Sequence, residues 1–201
     1  MPVTSVAAPT VTGSVRRAQI IEAAIAVIAE SGYSKASFAR IATTAGLSST
    51  RFISYHFKGK ADLMSAVVAD VLGSIGAHVG SRVAAETTAT GMLRTYIEAV
   101  VDYIDGHRSR MIALTEIMLG AGFDEGIAGD QQATGALESM LEFGQRAGEF
   151  RDFDRKVMAT TVQRSVDGLP FALQADPTID CAGYASELVT IFQLATAKGA
   201  R

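Results

Sequence analysis

The spacing of apolar residues constrains this chain more than any other feature of its sequence. Apolar side chains recur every three or four positions, which is the spacing of one helix face. A clear early example is the set Ile21, Ala24, Ile25 and Ile28. We find no alternating run that calls for a half-buried strand. The 201 residues are also enough to bury a sizeable core. We therefore expect an all-α protein with about nine helices.

Charge divides the chain into unequal parts. Residues 1–13 carry no charged side chain and are expected to form a disordered lead-in. Residues 14–63 carry seven basic and three acidic side chains, whereas the remaining 138 residues have a net charge of −7. A basic head on an acidic body is typical of polyanion-binding proteins, although a solvated helix surface would show the same imbalance. We place the head at residues 14–60 and a larger helical body at residues 61–201.

Composition excludes several classes of protein. The single Cys181 rules out an intramolecular disulfide and a multi-cysteine zinc site, and three histidines are too few for a His-rich metal site. We expect no metal and no cofactor. The amino terminus lacks the basic region of a signal peptide, and no apolar run reaches the ~20 residues of a membrane span. The protein is expected to be cytoplasmic, without membrane contact.

Residues 37–57 have the pattern of a helix-turn-helix, because two short helical segments flank a turn that contains Gly46. On a helical wheel the second segment has two different sides. One side groups Phe52, Ile53, His56 and Phe57, and the other groups Thr50, Arg51, Ser54 and Tyr55. We expect the first group to pack on the preceding helices and the second to face solvent.

The expected exposed side has the chemistry to contact a duplex. Arg51 can form two hydrogen bonds with guanine, and Thr50 can contact either base type. Tyr55 can donate to a phosphate. Lys58 and Lys60 follow at the start of the next helix, where free N–H groups favour phosphate. Two further basic residues, Arg16 and Arg17, precede the first helical stripe. Plain solvation stays open for Arg16, Arg17 and Lys58, and His56 is expected to pack or to contact phosphate rather than metal.

Residues 16–67 resemble the TetR family of bacterial transcriptional regulators. The resemblance rests on RRAQIIEAAIAVIAESGY at 16–33, IATTAGLS at 41–48 and SYHFKGKADLM at 54–64. It implies a three-helix DNA-binding head, a ligand-sensing helical body and a homodimer through the last two helices. It also implies that residues 49–56 meet an operator and that Lys60 contacts phosphate. The candidate DNA-binding residues are thus Arg16, Arg17, Ser48, Ser49, Thr50, Arg51, Ser54, Tyr55, His56, Lys58 and Lys60.

This chain departs from the family pattern in one place. Between Gly46 and Phe57 it is one residue longer than usual, so the assignment of individual base contacts shifts by up to one position.

Two apolar stripes near the carboxyl end predict a dimer interface. They consist of Val162, Val166, Leu169 and Leu173, and of Tyr184, Leu188, Ile191 and Ala195. Two such stripes suit a four-helix bundle across a two-fold axis, although each could instead face its own core. Pro170 lies inside the first stripe and is expected to kink its helix.

The middle helices offer candidates for a small-molecule effector site, which in such a body is a mostly apolar cavity with a few polar groups. They are Tyr96, Met111, Met118, Phe123, Phe143 and Gln163, and for each of them an ordinary core position is the alternative. The glycine-containing stretch at residues 120–129 is expected to be a loop that either gates this site or simply connects two helices.

These patterns predict a sequence-specific repressor that an unidentified small molecule releases from its double-stranded DNA operator. Two alternatives stay open, a helical protein-interaction module and a helical enzyme with an incidental helix-turn-helix. The sequence has no glycine-rich phosphate loop, no H-E-x-x-H and no G-x-S-x-G. Asp105, His107 and Glu116 are the nearest approach to a catalytic set, and nothing in the sequence brings them together. We therefore expect no enzyme activity.

Overall fold

The computed structural model describes residues 11–121 and 124–199, which form ten α-helices and one short 3-10 helix. The α-helices are α1 Val11–Ser31, α2 Phe38–Thr44, α3 Arg51–His56, α4 Lys60–Val83, α5 Ala89–Gly106, α6 Arg108–Ala121, α7 Asp124–Ala147, α8 Arg155–Asp167, α9 Leu169–Ala175 and α10 Cys181–Thr196, and the 3-10 helix is Tyr33–Lys35. Over the described residues the only β-type pairing is an isolated bridge between Phe150 and Ala197. The all-α prediction is confirmed.

Pro170 accounts for a tenth helix where about nine were expected. The predicted kinked helix is two helices, α8 and α9, which meet at Gly168. Pro170 lies in the first turn of α9, where its missing N–H has no helical partner to lose. The proline therefore starts a helix and does not bend one.

Helix boundaries differ from the prediction at two other places. α1 already begins at Val11, so residues 11–13 are helical, and residues 1–10 lie outside the described residues. The expected loop at 120–129 is wrong, because α6 runs to Ala121 and α7 starts at Asp124. Glycine inside a helix costs only about 1 kcal/mol relative to alanine, so the glycines of this stretch did not prevent a helix.

Helix α4 connects the head to the body. By length and composition it could cross a membrane, the one such helix in the part of the chain that the structure describes. Its Leu63, Val67 and Val71 are, however, fully buried, and α4 packs against α1, α5, α6 and α7. These contacts make α4 a core helix of the fold.

Helix α6 ties the head to the body through polar contacts. Arg110 of α6 forms ion pairs with Glu22 of α1 and with Asp70 of α4, the latter at 2.7 Å. Six residues further along, the Glu116 carboxylate accepts a hydrogen bond of 3.0 Å from the Tyr33 backbone N–H. The head is thus attached to one body helix at two points.

The first carboxyl-terminal stripe does not form an exposed interface. Val162, Val166 and Leu169 have no exposed surface, and Leu173 is 7% exposed. The dimer prediction is wrong for these four residues, because their own core already covers them. The second stripe is more open: Tyr184, Leu188 and Ala195 are half-buried and Ile191 is exposed.

Candidate nucleic-acid interface

The turn between α2 and α3 is held by hydrogen bonds within the turn and by one from α1. Ser37 caps α2 by accepting from the Arg40 N–H. Gly46 has φ +65°, in the left-handed region that ends helices, and the Leu47 N–H donates to the Ala42 carbonyl at 2.8 Å. The Gln19 side-chain amide of α1 donates to the Ala45 carbonyl at 2.7 Å. The angle between α2 and α3 is therefore held by α1 as well as by the turn.

Two residues anchor helix α3 in the core, and most of its other side chains are exposed to solvent. Ile53 is fully buried and Phe57, just after the helix, is 2% exposed. Thr50, Arg51 and Ser54 are exposed, and so is 85% of Tyr55. The predicted exposure of these four polar side chains is confirmed, while their contact with DNA stays a prediction. At the start of α3 the Ser49 hydroxyl accepts a hydrogen bond from the Arg51 N–H.

Two residues that the helical wheel assigns to the packed side are not buried. Phe52 is 46% exposed, so its assignment to the buried side is wrong. His56 is half-buried, and its ring meets the Tyr55 ring edge-on at 5.0 Å. A six-residue helix rests on its neighbours through only one or two side chains, and here Ile53 and Phe57 already occupy those places.

The start of α1 lies beside the end of α3. The Arg17 guanidinium stands 4.9 Å over the Phe57 ring, within the range of a cation–π contact. Arg16 donates to the Gln19 side chain at 2.8 Å. Arg17 remains exposed, so a positive charge stands in solvent beside the end of α3.

The two lysines after α3 have different surroundings. Lys60 donates from Nζ to the Tyr33 carbonyl at 2.8 Å and lies 4.2 Å over the Tyr33 ring. Lys60 is half-buried, and its ammonium group is bound within the protein rather than free in solvent. Lys58 is exposed, but its backbone N–H donates to the Asp62 carboxylate at 2.8 Å. The Asp62 carboxylate therefore adds a negative charge close to the start of α4, where a phosphate was expected, although no side chain caps the first turn of α4 itself.

Of the candidate effector residues, the structure brings Tyr96 and Gln163 into direct contact. Tyr96 donates to Gln163 at 2.5 Å, and the Gln163 amide donates to Asp167 at 2.8 Å. Met118 is half-buried, Phe143 is 44% exposed, and Phe123 lies outside the described residues. Met111 lines a groove of about 50 Å³ together with Ile104, Ile112, Pro170, Leu173, Gln174 and Arg108.

Asp105, His107 and Glu116 do not form a metal site, and each contacts a different partner. The part of the chain that the structure describes holds no group of three His, Cys, Asp or Glu residues placed to bind a metal. Hydrogen bonds from Arg108 lower the pKa of Asp105, His107 stacks on Tyr103 at 4.1 Å, and Glu116 accepts from the Tyr33 N–H. Each of the three candidates thus has a partner of its own elsewhere.

Sequence comparison identifies the head. The family described as bacterial regulatory proteins, tetR family, matches residues 20–67. The HTH-type transcriptional regulator BetI of Proteus mirabilis (strain HI4320) is 38% identical over 89 residues, which are 44% of this chain and 43% of BetI. The chain therefore aligns with less than half the length of that relative. The resemblance read from residues 16–67 is confirmed.

Solved structures share the fold over most of the chain. FadR from Bacillus subtilis in complex with stearoyl-CoA has a TM-score of 0.79 at 20% identity, covering 87% of this chain and 96% of FadR. SmeT, the repressor of the Stenotrophomonas maltophilia multidrug efflux pump SmeDEF, has a TM-score of 0.77 at 22% identity and covers 90% of both chains. At these identities the likeness extends to the arrangement of helices.

Two features of the head were not predicted from the sequence. Gln19 was not singled out, although its bond to the Ala45 carbonyl positions the turn, and polar residues at helix surfaces give no signal for such a contact. The exposure of Phe52 was missed because a wheel assigns an apolar residue to the packed side by default.

Proposed function

Because residues 20–67 are a TetR-family amino-terminal domain, we propose that this protein is a cytoplasmic, sequence-specific DNA-binding regulator of transcription. The observation that carries the proposal is the division of α3. Ile53 and Phe57 anchor it, and Thr50, Arg51, Ser54 and Tyr55 face outward. A short helix with a polar exposed side after a fixed turn is suited to the major groove.

Each exposed group has a distinct part in the proposed complex. Arg51 and Thr50 lie at the amino end of α3, the part of a recognition helix that contacts base edges. Tyr55, Lys58 and Arg17 contact phosphates on either side and set the register without reading sequence. Ser48, Ser49 and Ser54 add neutral hydroxyls, whereas Lys60 acts indirectly by holding the Tyr33 turn against α4.

A homodimer is the second part of the proposal. Tyr184 of α10 donates to the Ser165 carbonyl near the end of α8, and Arg151, just before α8, donates to the Ala195 carbonyl. The two helices therefore run antiparallel. They expose Val157 of α8 and Ile191 and Leu194 of α10, at 64%, 47% and 74%. We place the two-fold axis on this face. A dimer that binds both half-sites at once needs its two α3 helices about 34 Å apart.

Release by a small molecule is the third part. The Met111 groove is far smaller than the ~300–1,000 Å³ of a drug-sized ligand site, so an effector of that size that binds at this groove must open it. Helix α6 lines this groove through Met111 and also carries Arg110 and Glu116, which hold the head. An opened body moves α6 and with it the head, and this gives the effector a differential affinity for two head positions. That FadR of B. subtilis was solved with stearoyl-CoA supports a ligand-binding body, and the repressor SmeT supports repression.

The test begins with duplex fragments of the source genome that the purified protein retains. Their affinity is measured from about 50 to 200 mM salt, over which several phosphate contacts give a steep loss. Lys58→Ala is expected to weaken all fragments alike and to flatten the slope by about one unit. Arg51→Ala is expected to lose about 1–3 kcal/mol of discrimination at one base pair of each half-site.

Lys156→Ala is the matched control, because it removes an exposed lysine from α8 of the body, and it should change neither slope nor discrimination. A salt-independent interaction would favour a protein-interaction module. Equal losses for every sequence in Arg51→Ala would remove the base-reading role of Arg51.

A further inference from the structure

Helix α3 leaves one large apolar side chain partly exposed. Phe52 leaves 46% of its surface in solvent, whereas Ile53 and Phe57 are 0% and 2% exposed. Single exposed apolar residues are common on protein surfaces, so exposure alone says little. What distinguishes Phe52 is its place, because it is the second residue of α3 and follows Arg51 directly.

Two exposed polar side chains lie near Phe52 on α3. Arg51 precedes it directly, and Tyr55, three positions further on, lies on the same side of the helix. An aromatic ring among these groups has no hydrogen-bonding atom to offer to bases or phosphates. In the major groove the one apolar group on a base edge is the C5 methyl of thymine. A ring placed against any other base edge would cover donors or acceptors without replacing their bonds to water.

We propose that Phe52 is a specificity-determining residue that selects thymine by packing its ring against the 5-methyl group. This inference rests on the proposed function and assigns one more contact to the same surface. It concerns the methyl group alone, so a 5-methylcytosine at the same position offers Phe52 the same contact.

The experiment uses a duplex retained by the intact protein in the genomic selection. Each thymine is replaced in turn by deoxyuridine, which removes only the methyl group. At one thymine of each half-site the wild type is expected to lose about fourfold in affinity, the value of one buried carbon at the usual transfer energy. Phe52→Ala is expected to bind the thymine and deoxyuridine duplexes equally.

Two further arms identify the methyl contact. At the same position, cytosine should bind less well than 5-methylcytosine for the wild type and equally well for Phe52→Ala. Phe52→Leu keeps an apolar side chain and should retain part of the preference, which guards against misfolding in the alanine variant. Phe171→Ala removes a 52% exposed ring from α9 of the body and should leave the thymine-to-deoxyuridine ratio unchanged.

The outcomes separate this inference from its premise. A protein that retains no duplex overturns the proposed function and this inference with it. If the protein binds duplexes with salt-dependent affinity but loses no affinity at any thymine-to-deoxyuridine replacement, only this inference is wrong. The same holds if Phe52→Ala keeps the full methyl preference, because the ring then lies against something other than the base.

Discussion

Gly144 in α7 is a glycine that close packing requires. A Cβ built at Gly144 would overlap the Phe150 ring and would lie 2.8 Å from the Ala89 Cβ. Phe150 is 3% exposed, and its N–H is bound to the Gly144 carbonyl at 3.1 Å, so the ring has little room to withdraw. Gly135 in the same helix has nothing within 4 Å of the same added atom. The two positions form a matched pair.

Alanine at these two positions should change stability in opposite directions. Overpacking costs about 1–3 kcal/mol, and the gain in helix propensity returns up to about 1 kcal/mol. Gly144→Ala should therefore be net destabilised by about 1–2 kcal/mol, which lowers Tm by about 2–8 °C in a chain of this size. Gly135→Ala keeps only the propensity gain and should raise Tm by about 1–4 °C.

Thermal unfolding followed by circular dichroism, together with urea midpoints, measures both variants against the wild type. Wild-type stability in Gly144→Ala would mean that Phe150 yields, and the packing argument would then be wrong. A destabilised Gly135→Ala would instead show that α7 is not an open helix surface at that point.

Two further predictions concern a helix terminus and the dimer. Glu149 accepts hydrogen bonds from the Thr90 and Ala89 N–H groups at the start of α5, and these lower its pKa below the ordinary 4.5. Because the folded-state pKa is depressed, this stabilisation is present above pH 4.5 and is lost as the pH falls through the lowered value. Glu149→Gln should therefore lose about 1 kcal/mol in urea denaturation at neutral pH and progressively less in acid, and an equal loss at every pH would contradict this. Leu194→Asp should convert the dimer into a monomer, as measured by light scattering. The control Leu119→Asp, at a 66% exposed residue of α6, should stay dimeric. A Leu194→Asp variant that is still a dimer would show that the interface lies elsewhere.

Local pattern was enough for the class of fold and for the core of the candidate site. Apolar spacing predicted the helices, and the wheel over residues 50–57 correctly separated the buried Ile53 from the exposed Arg51 and Tyr55. Gly46 was correctly expected in the turn between α2 and α3. These features depend on residues a few positions apart, and the dihedral preferences and helical period that govern them act at that range.

Contacts between distant parts of the chain were decided by tertiary packing. Lys60 is tied to Tyr33, 27 residues earlier, and Arg110 of α6 is paired with Glu22, 88 residues earlier. The stripe that contains Val162 faces its own core and not a second copy. A periodic stripe indicates which side chains share a face, but the packing of the whole chain determines which element covers that face. A short helix such as α3 can therefore leave Phe52 exposed once other residues have filled the available contacts.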